Sequence, residues 1–439
     1  RVLFRSHHLT AAVMDTSFSV LDLFQGVSTL VAGFQNDPVT AIGRMCLIAF
    51  GLLLIYLGRK GVLEALLMIP MGLGMATINA AVMFFYTYDP VTGMVVPGQN
   101  EGLPGTLFIA PLADDPDALI RVLQINWLQP IYNFMFSNGL IACLVLMGVG
   151  TLLDVGFVMQ RPFQSMFIAL CAELGTVVIF PLAILFDLAP GEGAALATIG
   201  GADGPMVLFA SLQLAPHLFV PITVVAYLYL GLTYGGYPYL IKAMVPARLR
   251  AIQMPDEGHR EITSNEKMVF AVVACVLLSL LLPVASPIII SLFLGVIIRE
   301  SGITNYIELF SQTVLYGATF FLGLLLGALC EASVILDPVV LKLLVLGILA
   351  LTISGIGGIL GGYVLWWWHN GKYNPVIGIA GVSCVPTVAK VAQKSVGPGV
   401  VVLPHALGAG ISGVITSAIF AAVFIAYLLP HNLAAAGAN

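Results

Sequence analysis

Two short stretches of an otherwise apolar chain carry the groups that could do chemistry. The first is Gly200-Gly201-Ala202-Asp203-Gly204-Pro205, one acid among residues that interrupt a helix. Glycine reaches backbone angles closed to other residues, while proline lacks an N–H donor and restricts its predecessor. An unpaired aspartate at the centre of a membrane helix costs about 2.5 to 3.5 kcal/mol on insertion scales. A bound cation would offset that cost. In a solvent-exposed loop the same aspartate would simply cap the helix that follows.

The second stretch runs Asn374-Pro375-Val376-Ile377-Gly378-Ile379-Ala380-Gly381-Val382-Ser383-Cys384-Val385-Pro386, with Lys390 one turn beyond. It offers amide and hydroxyl oxygens, freed backbone carbonyls and one cation. Hard cations take oxygen ligands, so Asp203 facing Asn374 and Ser383 would match one formal charge to one monovalent ion. Gly378, Gly381 and Ser383 are equally the small residues that let membrane helices approach closely. Spacing alone assigns no partners to Glu173, Asp154, Tyr227, Tyr229, His217 or His405; Tyr227 and Tyr229 suit interfacial anchors, and His405 suits the first turn of a helix. There is no Walker loop, GxSxG elbow or HExxH helix, so ATP hydrolysis within this chain is not expected. The six cysteines form no CxxC pair and have no histidine at metal-ligand spacing.

The elements that must position these stretches are membrane helices. Of 439 residues 59% are hydrophobic and 9% charged, with mean hydropathy +1.02, where soluble domains are roughly a quarter charged. The net charge of −5 argues against a nucleic-acid partner, which needs a basic surface. Arg1 to Val20 shows no apolar run ending in a small-residue cleavage site, so no cleaved signal is expected and the first spanning helix drives insertion. An amphipathic segment near 16–35 reads as interfacial. Spans follow near 40–58, 61–87, 132–153, 164–186, 216–240, 268–298, 304–330, 338–368 and 405–429. The fold class predicted is an all-α polytopic membrane protein of about nine to eleven membrane segments in two related halves, each with a broken or re-entrant helix. The division is an N-terminal interfacial segment 1–39, a first half 40–240, a polar connector 241–267 and a second half 268–439.

Basic residues place the Arg59-Lys60 turn and the 241–267 connector in the cytoplasm, and the acidic 88–126 loop outside. If 191–213 crosses the membrane the connector ends up outside, and if it enters and returns the connector stays inside. Charge favours the re-entrant form, whereas inverted repeats of five crossings would need a full pass. Trp366, Trp367 and Trp368 read as an interfacial belt.

At these stretches the chain resembles the membrane-embedded beta subunits of sodium-pumping biotin-dependent decarboxylases, which act in oxaloacetate, glutaconyl-CoA, methylmalonyl-CoA or malonate complexes. The resemblance runs through Met147-Gly148-Val149-Gly150 and Asp154, Ile199 to Pro205, Leu214-Ala215-Pro216, Ala226-Tyr227 with Tyr229, Arg299-Glu300-Ser301-Gly302 and Phe321-Leu322-Gly323-Leu324. It continues through Asn374 to Pro386, His405-Ala406 and Gly413-Val414-Ile415. It implies that carboxybiotin, carried on a partner subunit, is decarboxylated here with consumption of a proton while sodium leaves the cytoplasm. It also implies a multi-pass protein of the cell (inner) membrane, with biotin-carrier and carboxyltransferase subunits, a small gamma- or delta-type membrane subunit and an oligomeric assembly. Asp203, Asn374, Gly378 and Ser383 would then belong to the sodium site. Lys390, Tyr229 and Ser383 would assist decarboxylation, with Lys390 binding the carboxylated biotin. Relatives commonly have arginine where this chain has Lys390 and Pro-Asn where it has Ala409-Gly410; lysine offers a point charge instead of a bidentate grip.

The chemistry is coherent with those groups. Loss of carbon dioxide from a carbamate leaves a ureido anion, which a proton donor and a nearby cation stabilise. The competing expectation is a secondary transporter, either a sodium/proton exchanger or a sodium-coupled organic-anion carrier. Such a protein works without a biotin carrier. A purely structural scaffold is disfavoured by two polar breaks in corresponding places.

Overall fold

The computed structural model describes residues 24–85, 103–105, 128–254, 262–383 and 387–436. Most of the 88–126 loop and Cys384 to Pro386 therefore lie outside the described residues. Among the described residues seven helices are long and apolar enough to cross a membrane, or nine if each of two bent pairs is one span. Helix α1 (Gln25–Asn36) is separated from α2 (Pro38–Arg59) by Asp37, whose carboxylate accepts from the Thr40 N–H at 3.2 Å and caps α2. Helix α3 (Ala65–Ala80) stops short of the expected 61–87 span, and an antiparallel ribbon pairs Met83–Phe85 with Leu103–Gly105. A segment Gln129–Phe136 meets α4 (Leu140–Leu152) at 65°, the turn being made at Gly139 with φ 77°.

Helices α5 (Pro162–Ala172) and α6 (Leu174–Leu185) are interrupted at one residue, Glu173. The first broken stretch is α7 (Pro190–Ala197), a 3₁₀ turn Thr198–Gly201, and α8 (Gly204–Leu214). Just past α8, His217 Nε2 lies 2.7 Å from Glu192 Oε1 at the start of α7. The stretch therefore returns to the end it entered from. It is re-entrant, and α9 (Phe219–Met244) then crosses the molecule.

The expected single span near 268–298 is two helices, α10 (Ser264–Leu281) and α11 (Ser286–Glu300). Pro283 cannot donate to the helix before it, and Leu282 leaves helical geometry at φ −131°, ψ 65°. The extra crossing resolves the parity conflict. With the shorter apolar helix α3, 16 residues, taken as a crossing beside those nine, each half has five crossings and one re-entrant stretch, which places the halves in opposite orientation. The second half continues with α12 (Thr304–Ala328), α13 (Pro338–Trp368), the second broken stretch with its 3₁₀ turn Pro375–Gly381 and α14 (Thr387–Ser395), and α15 (Leu403–Ala436).

Packing is reciprocal between the halves. Helix α3 packs on α12 as α4 packs on α11; α13 packs on the first 3₁₀ turn as α5 packs on the second; α8 packs on α15 as α14 packs on α9. Glycine makes the first two seams possible. A Cβ on Gly74 would lie 2.6 Å from the Leu324 carbonyl, and one on Gly150 would lie 2.3 Å from that of Leu292.

One end of the bundle gathers the basic connectors. Thr387 Oγ1 donates to Glu64 Oε2 in the α2–α3 corner at 2.8 Å, and eight residues along α14 the Ser395 carbonyl accepts from Arg250 at 3.4 Å. At that end Asp154 accepts from Lys267 at 2.7 Å and faces Arg299 at 3.6 Å, while Arg299 also reaches Glu300 at 3.4 Å. This network joins the ends of α4, α10 and α11.

Candidate functional site

Ala202 takes up a left-handed conformation, φ 54°, and reverses the chain so that Asp203 caps α8. Asp203 Oδ1 accepts a long hydrogen bond, 3.4 Å, from the Met206 N–H. Its other oxygen, Oδ2, has no hydrogen-bond partner among the described residues, and the residue is 5% exposed. Asp203 is thus a helix cap, but a buried one. Such a carboxylate is stable only with a proton or a cation.

Gly200 and Gly201 are dictated by contact. A Cβ at 200 would lie 2.4 Å from the Thr176 nitrogen, and one at 201 would lie 2.3 Å from Ser417 Oγ. The second break comes to this spot. Ser383 donates from its backbone N–H (3.0 Å) and from Oγ (2.7 Å) to the Gly201 carbonyl. The two interrupted stretches therefore meet, through Ser383 and the residue two before Asp203.

The other expected site residues are placed differently. Asn374 caps the 3₁₀ turn by accepting from the Val376 N–H at 3.1 Å, while its amide donates to the carbonyls of Ile252 (2.9 Å) and Arg250 (3.3 Å). No hydrogen bond joins it to Ser383 or Gly201 among the described residues. Gly378 lets the turn lie on α13, since a Cβ there would lie 2.0 Å from the Gly358 carbonyl. Tyr229 is buried and donates to the Leu344 carbonyl at 2.8 Å, with its ring against Gly347. Lys390 is exposed on α14, one turn after Thr387. One turn further, Lys394 Nζ donates to Tyr234 Oη at 2.5 Å and lies 5.0 Å from the centre of its ring.

Two features lie beyond what spacing could assign. Glu173, in the gap between α5 and α6, accepts from Ser417 Oγ and Thr176 Oγ1, both at 2.5 Å, and is 3% exposed. The threonine at i+3 was the only local signal. The second is a cleft of about 300 Å³ at the basic end, lined by Arg161, Gln164, Trp368, His369, Lys372 and Tyr373. Among the described residues no group of three His, Cys, Asp or Glu side chains comes together. The buried donors are carboxylate, hydroxyl and carbonyl oxygens, the set that suits a hard cation.

Residues 43–428 match the family described as the Na+-transporting oxaloacetate decarboxylase beta subunit. The chain is similar to the carboxybiotin decarboxylase of Malonomonas rubra, at 53% identity over 94% of this chain and 99% of that protein. It is also similar to the methylmalonyl-CoA decarboxylase subunit beta of Veillonella parvula, at 36% identity over 67% and 79% of the two chains. With the oxaloacetate decarboxylase beta chain 2 of Salmonella typhi it shares 32% identity over 88% and 95%.

Proposed function

Because the chain belongs to the beta-subunit family of the sodium-transporting, biotin-dependent decarboxylases, we propose that its two broken stretches together hold the transported sodium. Asp203 is the charged ligand and Ser383 the hydroxyl ligand. Family membership makes the protein a membrane-embedded carboxybiotin decarboxylase that couples loss of carbon dioxide to sodium export, and it argues against a transporter working alone. It works as one subunit of a complex. The choice of carboxylated substrate belongs to another subunit.

One observation carries the site: the second break bonds twice to Gly201 while Asp203, two residues on, keeps a buried oxygen without a partner. In the same reading Asn374 fastens the second break to the 250–252 connector and Gly378 seats it on α13. Lys390 receives the carboxylate of carboxybiotin at the basic end. There the carbamate C–N bond breaks, carbon dioxide leaves and the ureido nitrogen takes a proton; Tyr229 and Ser383 are the hydroxyl groups that the family resemblance assigns to assist. A small gamma- or delta-type membrane subunit and self-association complete the assembly, and the chains and mass recovered on purification test both.

The decisive variant is Asp203→Asn, which keeps shape and removes the charge. Sodium-dependent turnover should fall by about a hundredfold or more, the scale of losing one charge-bearing group from a dry site, with melting behaviour kept. Normal decarboxylation and transport by this variant would remove Asp203 from the ion site.

A further inference from the structure

We propose that the cleft at the basic end binds an anionic phospholipid of the phosphatidylglycerol type. Arg161 and Lys372 hold its phosphate, and its acyl chains lie against aromatic rings at the rim. The inference does not depend on where sodium binds.

The walls suit an anion. Arg161 and Lys372 line the cleft with Gln164, Trp368, His369 and Tyr373, and no acid does so among the described residues. Arg161 Nη1 also meets His405 Nε2. A guanidinium carries five N–H donors in one plane, more than a histidine takes, and it grips phosphate oxygens two at a time. Helix α5 starts at this wall with no side-chain cap, and Pro162 at its first turn brings no N–H, so the Phe163 and Gln164 N–H groups add the positive end of a helix. The facing wall is the end of α13, where an anion would otherwise meet carbonyl oxygens. Asn370 (φ 50°) and Gly371 (φ 80°) turn the chain back and cover them. The N–H groups of His369, Gly371 and Asn370 donate to the carbonyls of Leu365, Trp366 and Trp367 at 2.9, 2.8 and 3.2 Å. His369 Nδ1 also donates to the Leu365 carbonyl, at 2.8 Å, which leaves Nε2 to accept from the Gln164 amide at 3.1 Å. Gln164 Oε1 is buried with no donor among the described residues, and a glycerol hydroxyl would supply one.

The rim suits lipid. Trp367 and Trp368 at the end of α13 are largely exposed, and Phe163, two residues from Arg161, is 89% exposed. Tryptophan at the end of a spanning helix marks the headgroup level. Bare rings around a basic floor fit a molecule with an anionic head and apolar tails, and basic pockets between membrane helices take such headgroups. A soluble anion has no use for the rim. Met254 also lines the cleft, and its sulfur accepts from the Asn374 N–H at 3.3 Å. A headgroup seated here therefore braces the start of α5, the end of α13 and the connector that fastens the second break.

The test uses the purified full chain in phosphatidylcholine vesicles. Three of its four tryptophans are consecutive at the end of α13, so quenching of their fluorescence by lipid brominated near the headgroup reads occupancy locally. We expect brominated phosphatidylglycerol to quench at a mole fraction about tenfold below that of brominated phosphatidylcholine, the range of two basic residues at a membrane surface. Lys372→Gln should cut this preference about fivefold, the worth of one such residue, and Arg161→Gln at least as much. Lys372 lies in a turn, so its variant decides if the arginine variant does not fold. Lys60→Gln, at the same end but outside the cleft, should keep the parent's preference. Equal quenching by the two lipids in the parent, or a parent-like preference in Lys372→Gln, would overturn the site. An equal fall in Lys60→Gln would reduce it to general attraction by the basic face and also overturn it. Relief of quenching by inorganic phosphate or by carboxylated biotin would give the cleft to a soluble ligand and overturn the lipid assignment.

Discussion

Lys390 and Lys394 sit one turn apart on α14 and have different surroundings. Lys394 is committed to Tyr234, by a hydrogen bond and by its place over the ring, whereas Lys390 is exposed. A cation next to sodium repels it, but next to a carbamate it steadies the carboxylate, which is why the proposed function gives Lys390 to the biotin chemistry. Lys390→Ala should raise the carboxybiotin KM by about tenfold or more, the value of a hydrogen bond to a charged group, and barely move sodium half-saturation. Lys390→Arg should keep activity. Decarboxylation of free carboxybiotin over a sodium series separates these effects, and unchanged kinetics in the alanine variant would mean that the side chain only reaches for lipid headgroups. Residue types were legible here because an acid, an amide or a lone cation stands out in an apolar run. What spacing could not give was each group's partner: the sequence distance from Glu173 to Ser417 is 244 residues, and nothing local signals that contact.

At the scale of elements, the polar corner of Asp154, Lys267, Arg299 and Glu300 fastens three helices at their ends. Burial works against ionisation of Asp154, but the hydrogen bonds from Lys267 and the Gly156 N–H, with the charges of Lys267 and Arg299, outweigh it and hold its carboxyl below the ordinary value of 3.8. Its stabilising effect is therefore fully present above about pH 4 and is lost as pH falls through the lower folded value. Asp154→Asn should melt lower than the parent at neutral pH, and the gap should close in acid; melting curves across an acid series would show a constant gap if the network contributes nothing. The helices themselves follow from composition, and the two interrupted stretches from their Gly and Pro content. The division of 268–298 into α10 and α11 was harder to read, because two prolines four residues apart, Pro283 and Pro287, in a 31-residue mostly apolar run are as compatible with a kinked span as with two. Only the packing of α11 against α4, through Gly295 and Gly150, decides it.

For the whole molecule, the re-entrant course of 190–214 fixes which loops share a side. The α2–α3 corner and the 246–254 connector are both tied to α14, and His217 lies across the bundle from them beside Glu192. In a variant without its native cysteines, single cysteines placed at Lys60 and Arg248 should react with an impermeant thiol reagent from the same face of a sealed vesicle, and one at His217 from the opposite face. Labelling of positions 60 and 248 from opposite faces would mean that 190–214 crosses completely. In the proposed reading carboxybiotin arrives at the face where Lys390 is exposed, and the ion is held inward, where the two breaks meet.

The unequal lengths of α10 and α13 have a consequence for the surrounding lipid. Helix α10, 18 residues, has Ala271 buried and Val276 and Leu280 largely exposed, so it stands at the rim; at 1.5 Å per residue it is about 27 Å tall. Helix α13, 31 residues, is buried along much of its length and is about 46 Å long, well beyond a hydrocarbon core of about 30 Å. The protein is thus short at α10 and tall at α13. Acyl chains touching α10 match it with little deformation, so a thicker bilayer loads that part of the rim first.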